Sequence, residues 1–364
     1  GHSNTAIGSY SSFYTTTGIY NTASGIQSLY HNTSGCHNSG HGRETLKNNT
    51  TGNYNTASGI ESLKSNTTAS NNTAVGACAL YSNTTGGQNS AFGLLSLISN
   101  TTGGDNTGVG YKSLYLNTTG YSNVAVGYSA LCGNTTGRMN TATGMFALLT
   151  NTTGTCNTAS GYKSMYSNTS ASFNTAYGWK SLHDNTTGNK NTGVGFEALG
   201  NNTTGTHNSA FGNYSLYTNT TGTHNTASGT YSLYLNTTGG HSTAHGYQAL
   251  KQNTTGSYNT ASGGYALYAN TTGACNTALG RSSLANNTTA SYNTASGNAA
   301  LYTNTTGAYN TATGFNALFS NSTGQSNTAS GYKALYTNTT GIYNVAVGVS
   351  TMKFNTTGAC NTAV

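Results

Sequence analysis

The sequence predicts an all-β fold, a β-solenoid (parallel β-helix or β-roll) of about 21 rod-like stacked coils of 17 residues each. Three observations predict it. The element N-T-T-G-x-x-N-T-A-x-G-x-x-A-L-x-x returns every 17 residues from Gly1 to Val364 with no insertion or deletion. A constant short period means that each repeat is one unit stacking on its own copies. The repeat is also rich in Asn, Thr, Ser and Gly, which disfavour helix interiors, so a β coil is expected rather than a helical hairpin.

We number the slots of a coil from the Asn of N-T-T-G. Slots 1 and 7 are Asn in nearly every coil, and in-register stacking builds Asn ladders there, with Thr ladders at slots 2, 3 and 8. Slot 9 is Ala or Gly, as at Ala23, Gly108 and Ala346, and slot 14 is a small residue, so the interior is narrow. Val or Phe at slot 10, as at Val75, Phe92 and Val126, is expected to add to the core. Slot 11 is Gly throughout, which predicts a tight corner or close backbone approach. Slot 15 is Leu apart from Met165, Met352 and Ser12 and is the expected core column. Such a coil has room for two or three short strands joined by Gly corners, and the whole chain reads as one continuous domain.

Bulk composition narrows the function. Charged residues make up 5% of the chain, Pro is absent, and the net charge of +7 is spread thinly from Arg43 to Lys353. No stretch reaches the basic density that phosphate neutralisation needs, which argues against nucleic acid. No apolar run approaches the ~20 residues of a membrane span, and no signal-peptide pattern is present. The chain starts and stops inside repeats without the atypical capping repeats of a free solenoid. That predicts a segment of a longer fibre, or a subunit whose ends are covered, and self-association into a filament or homo-oligomer through open β edges.

The unit running from Asn259 to Gly273, N-T-A-S-G-G-Y-A-L-Y-A-N-T-T-G, resembles repeats of tail-fibre-domain proteins of bacteria and phages and of fibre proteins of large algal viruses. More distantly, N-x-A-x-G-x-x-A is similar to the head repeats of trimeric autotransporter adhesins, whose period is shorter. The resemblance implies a β-roll and an extracellular, cell-surface or virion-surface location, and its motifs name no chemistry.

Several columns are candidate sites. Slot 1 forms an N-x-[ST] sequon at Asn32, Asn49, Asn66, Asn83, Asn100, Asn117, Asn134, Asn151, Asn168, Asn185, Asn202, Asn219, Asn236, Asn253, Asn270, Asn287, Asn304, Asn321, Asn338 and Asn355. These are candidate N-glycosylation acceptors lining an exposed turn, or turn residues whose side chains satisfy stacked backbone groups. Further sequons occur at Asn48, Asn71, Asn201, Asn213 and Asn286. Slot 16 carries Tyr30, Tyr81, Tyr115, Tyr166, Tyr217, Tyr234, Tyr268, Tyr302 and Tyr336, a candidate stripe for contact with a sister subunit or with glycans, or a self-stacked stiffener. Slot 12 adds Tyr111, Tyr128, Tyr162, Trp179 and Phe196.

Other groups point to no site. Cys156, Cys275 and Cys360 share slot 6 but lie several coils apart, beyond disulfide reach, and only Cys132 and Cys156 come near it. His207, His224 and His241 fill slot 6 of successive coils and are expected to stack as surface residues. Glu44 and Glu61 share slot 13 in adjacent coils, but that slot elsewhere holds Gln27 and Lys112 and reads as a solvated column; Asp105 and Asp184 stand alone. No catalytic, cofactor or metal site is expected. A structural fibre is the first reading, an adhesin or carbohydrate-binding fibre the second. Ice binding is the third, disfavoured because the adjacent Thr of slots 2 and 3 face opposite ways and leave no obvious T-x-T pair.

Overall fold

The computed structural model describes residues 1–364 as a β-solenoid of 17-residue coils. Contacts divide the chain into two compact units, Gly1–Thr187 and Gly188–Val364. The first contains strands β1 (Thr5–Ile7) to β11 (Thr175–Tyr177), and the second β12 (Thr192–Val194) to β22 (Thr362–Ala363). Within each unit, successive strands pair in parallel and in register. In the first unit Ala6 faces Ala23 and Ala159 faces Ala176; in the second Ala210 faces Ala227 and Ala312 faces Ala329. The chain forms no helix, so none is long and apolar enough to cross a membrane.

Each coil holds one short strand at slots 8–10, three residues long except for the two of β22, rather than the expected two or three strands. The reason lies in the backbone. Slots 6, 13 and 15 adopt a left-handed conformation with non-glycine residues, as at His37 (φ 57°), Glu44 (φ 57°) and Leu46 (φ 49°). With the slot 11 glycine, whose φ runs from 117° at Gly280 to 142° at Gly297, these bends interrupt β dihedrals everywhere else. Bonding between coils nevertheless continues around the bends: the Leu29 N–H donates to Thr45 O, the His31 N–H to Lys47 O and the Glu44 N–H to Ile26 O.

The slot 11 corner is tight for a second reason. A Cβ added to Gly25 or Gly314 would lie 2.4 Å or 2.5 Å from the carbonyl oxygen of the slot 11 glycine one coil on. The glycine column therefore allows backbone to stack directly on backbone.

The interior matches the Leu and Ala columns. Leu29 to Leu335 at slot 15, with Met165 among them, are fully buried, as are the slot 9 alanines from Ala23 to Ala346. Ser12 interrupts the column with a buried hydroxyl that finds no partner. Slot 10 departs from expectation. Val75, Phe92 and Val126 are exposed (38%, 41% and 38%), because the strand alternates and an inward slot 9 turns slots 8 and 10 out. The core is instead completed by asparagine.

Candidate functional site: the side-chain columns

Every slot 1 asparagine from Asn32 to Asn338 is fully buried, and Asn355 is half-buried. This corrects the expectation of an exposed edge and agrees with the alternative, in which the side chains satisfy stacked backbone groups. Asn49 donates one amide hydrogen to Asn32 Oδ1 at 2.8 Å in the coil before and the other to Gly52 O at 3.0 Å in its own coil. Asn219 repeats the pattern in the second unit, with Asn202 Oδ1 at 2.8 Å and Gly222 O at 3.0 Å. A glycan would be attached to this same nitrogen, which already gives both hydrogens to buried acceptors. The column is therefore closed to glycans in the folded coil. Among the remaining sequons Asn71 is exposed, and Asn48, Asn201, Asn213 and Asn286 are half-buried.

Slot 7 supplies a second buried ladder. The Asn38 N–H donates to Asn21 Oδ1 (2.9 Å), and Asn38 Nδ2 donates to Gly52 O (2.8 Å). The slot 4 carbonyl thus accepts from both columns, slot 1 of its own coil and slot 7 of the coil before. Buried amides are costly unless paired, and here each is paired to its neighbours' amides and to one shared carbonyl. The slot 2 threonines close the same corner. The N–H groups of Thr33, Ser34 and Gly35 and the Thr33 hydroxyl all converge on Thr50 O.

The nine slot 16 tyrosines are half-buried, and each has its ring engaged within the chain. Tyr30 stacks on Phe13, Tyr217 on Tyr234 (5.5 Å, 9°), and Phe319 lies between Tyr302 and Tyr336 (5.2 and 5.3 Å). Tyr81, Tyr115, Tyr166 and Tyr268 lie beneath the ammonium groups of Lys64, Lys112, Lys163 and Lys251. Burial among the rings pushes the Tyr234 hydroxyl above its ordinary value. The self-stacking alternative describes these contacts.

Slot 6 forms a ladder that is exposed. His207, His224 and His241 stack face to face at 4.7 Å with interplanar angles of 4°, and Tyr258 continues the column at 5.0 Å. In the first unit Tyr20, His37 and Tyr54 stack likewise. Parallel rings carry their nitrogens in parallel planes, so the imidazole edges do not converge on one point. Desolvation, then the charges of Lys190 and His224, hold His207 below its ordinary value. The periodic recurrence of aromatics at slot 6 was available in the sequence as a signal for this ladder.

Glu44 and Glu61 belong to an ion-pair cluster. Lys64 lies 2.7 Å from Glu44 and 3.3 Å from Glu61, Lys47 lies 3.2 Å from Glu44, and Arg43 reaches Glu61 at 3.4 Å. The hydrogen bond from Lys64 holds the Glu44 carboxyl below the usual carboxylate range, the reverse of what a general acid requires. All six cysteines are free, and burial pushes the Cys132 thiol up. Slots 8 and 10 do place T-x-T pairs on one outward face, at Thr141 with Thr143 and Thr311 with Thr313. These pairs lie outside slots 2 and 3, where no T-x-T pair was expected. Slot 10 also carries His41, Phe92, Tyr177, Phe211, His245 and Leu279, so hydroxyls do not form a continuous array there. In comparisons with known proteins, the chain matches no family model and no curated sequence.

Proposed function

We propose that this chain is a structural protein that forms a rigid extracellular or virion-surface fibre and associates with further copies of itself. One observation carries the reading. The buried polar groups of a coil are satisfied by copies of the same groups in adjacent coils, as in the Asn32–Asn49–Asn66 and Asn219–Asn236–Asn253 ladders. A coil so built is complementary to itself and to little else. Repeating it extends a stiff element without new design, and the tight corners and buried amides leave few flexible segments open to proteolysis. The resemblance to tail-fibre and surface-fibre repeats supports the same reading.

Electron microscopy and sedimentation of the isolated chain test it. Elongated particles or filaments are expected; a compact, folded 37.2 kDa monomer in solution overturns it. A second reading, a fibre that adheres to a surface or to carbohydrate, is favoured by the exposed apolar residues of slots 10 and 12, among them Ile26, Ile60, Phe92 and Leu94. Retention on glycan-coated beads distinguishes an adhesive fibre from a passive one.

A further inference from the structure

Slots 13 and 16 both hold tyrosine in two consecutive coils of the second unit, at Tyr214 with Tyr217 and at Tyr231 with Tyr234, and in no other pair of successive coils. The four half-buried rings form one cluster. Along the columns they stack, Tyr214 on Tyr231 at 5.3 Å and 3° and Tyr217 on Tyr234 at 5.5 Å and 9°. Across the columns they meet edge to face. Tyr214 meets Tyr217 at 5.6 Å and 80°, Tyr231 meets Tyr234 at 5.4 Å and 80°, and Tyr214 meets Tyr234 on the diagonal at 6.2 Å and 81°. The cluster is closed at both ends. In these slots the coil before carries Glu197 and Gly200 and the coil after carries Gln248 and Lys251, whose ammonium lies over the Tyr231 ring at 5.5 Å. No phenol continues either column beyond the four.

Phenols held in this way are set up for oxidative coupling. Loss of one electron and the hydroxyl proton leaves a phenoxyl radical whose spin is shared with the ring carbons ortho to the oxygen, the Cε positions. Two such radicals join by a Cε–Cε bond, and the hydrogen on each joined carbon then moves to its oxygen, restoring both hydroxyls. With hydrogen peroxide as the terminal oxidant, the two electrons and two protons released reduce one peroxide to two waters, so the step balances. Fixed neighbours turn the coupling from a chance encounter into an intramolecular step. The edge-to-face contacts matter here because they direct the ring edge that carries Cε at a neighbouring ring. A pair that meets face to face alone, such as Tyr292 and Tyr309 at 5.1 Å and 3°, keeps its edges in parallel planes.

We propose that the cluster of Tyr214, Tyr217, Tyr231 and Tyr234 is an oxidative modification site, at which hydrogen peroxide acting through a one-electron oxidant forms a dityrosine bond within the chain. Treatment of the dilute full chain with a haem peroxidase and hydrogen peroxide tests this. The mass of the single chain is expected to fall by two hydrogens, dityrosine fluorescence to appear, and peptide mapping to place the bond between two of these four residues. The combined variant Tyr214→Phe, Tyr217→Phe and Tyr231→Phe keeps all four rings but leaves one phenol. It is expected to hold its melting temperature and to lose dityrosine fluorescence by about tenfold. Tyr292→Phe with Tyr309→Phe is expected to leave the yield unchanged. No coupling, a bond mapped to other tyrosines, dityrosine formed only between chains, or a yield that survives the triple substitution overturns the proposal. The peptide map of the unaltered chain decides the matter whether or not the triple variant keeps its stability.

Discussion

Single residues in this chain matter through the column they stand in. Ser242 takes the place of Asn at slot 7; its hydroxyl bonds to Gly240 O, and Asn259 must use that hydroxyl at 3.2 Å in place of an amide oxygen. Gly256 O then receives Asn253 but no slot 7 amide. Ser242→Asn should restore both bonds and stabilise the unit by about 1 kcal/mol, read as a higher denaturation midpoint with an unchanged m-value. Leu182→Asp acts in the opposite sense. Leu182 is fully buried, so the change removes its packing and leaves a carboxylate among Ala, Leu and Asn side chains. A loss of at least about 4 kcal/mol is expected, and an unchanged melting temperature would remove the core assignment. For glycosylation, intact mass after expression through a secretory pathway should show occupancy restricted to Asn48, Asn71, Asn201, Asn213 and Asn286. A mass carrying a glycan at each slot 1 sequon would contradict the buried ladder.

At the scale of one coil, the left-handed positions and the glycine corner make separable predictions. Ala299 at slot 13 has φ 53°, a region costing an L-residue roughly 1–2 kcal/mol. Ala299→Gly relieves that strain and adds backbone freedom to the unfolded chain, which costs about 0.5–1 kcal/mol, so a net gain of about 0.5 kcal/mol is expected. Gly314→Ala should cost about 3 kcal/mol or more, since φ is 130° and the new methyl meets Gly331 O. Paired thermal melts compare the two. The coil also shows what a sequence yields and what it withholds. The 17-residue period, the Leu46-type core column and the Gly42-type corner were legible, because strict repetition marks them directly. The Asn ladders were legible as columns, and so was the bonding of their side chains to stacked backbone, yet slot 1 was placed at an edge turn because N-T-T-G has the composition of a solvent turn. Its near-invariance was the better guide, since the solvent slots 12, 13 and 16 vary freely. Val75 and Phe92 were assigned inward on hydrophobicity alone, whereas the period of two around Ala74 and Ala91 sends them out.

Across the molecule, so few charges leave little for pH to act on, and the perturbed groups fix where it acts. His207 has a lowered value in the folded chain, so its contribution is present when it is neutral and declines as pH falls below the ordinary histidine value. Glu44 is likewise lowered. Its contribution is full above the ordinary carboxylate value and is lost as pH falls through the depressed one. Lys64 is raised, so its share is lost only when pH rises through that elevated value. The melting temperature should therefore stay nearly level from about pH 7 to 9 and fall in two small steps on acidification. Glu44→Gln should remove the lower step, and a steep collapse above pH 5 would contradict this account. The asparagine columns carry a different consequence. In the slot 1 column of each unit the amides turn their oxygen toward the following coil and one N–H toward the preceding one, so small dipoles add along the stack and polarise one another. The stack is vectorial. Its two faces differ as a plug differs from a socket, and a second copy meets matching partners only when it arrives in the same orientation. Copies joined along such a stack would therefore add head to tail, and each unit presents two chemically distinct faces that a single capping molecule could tell apart.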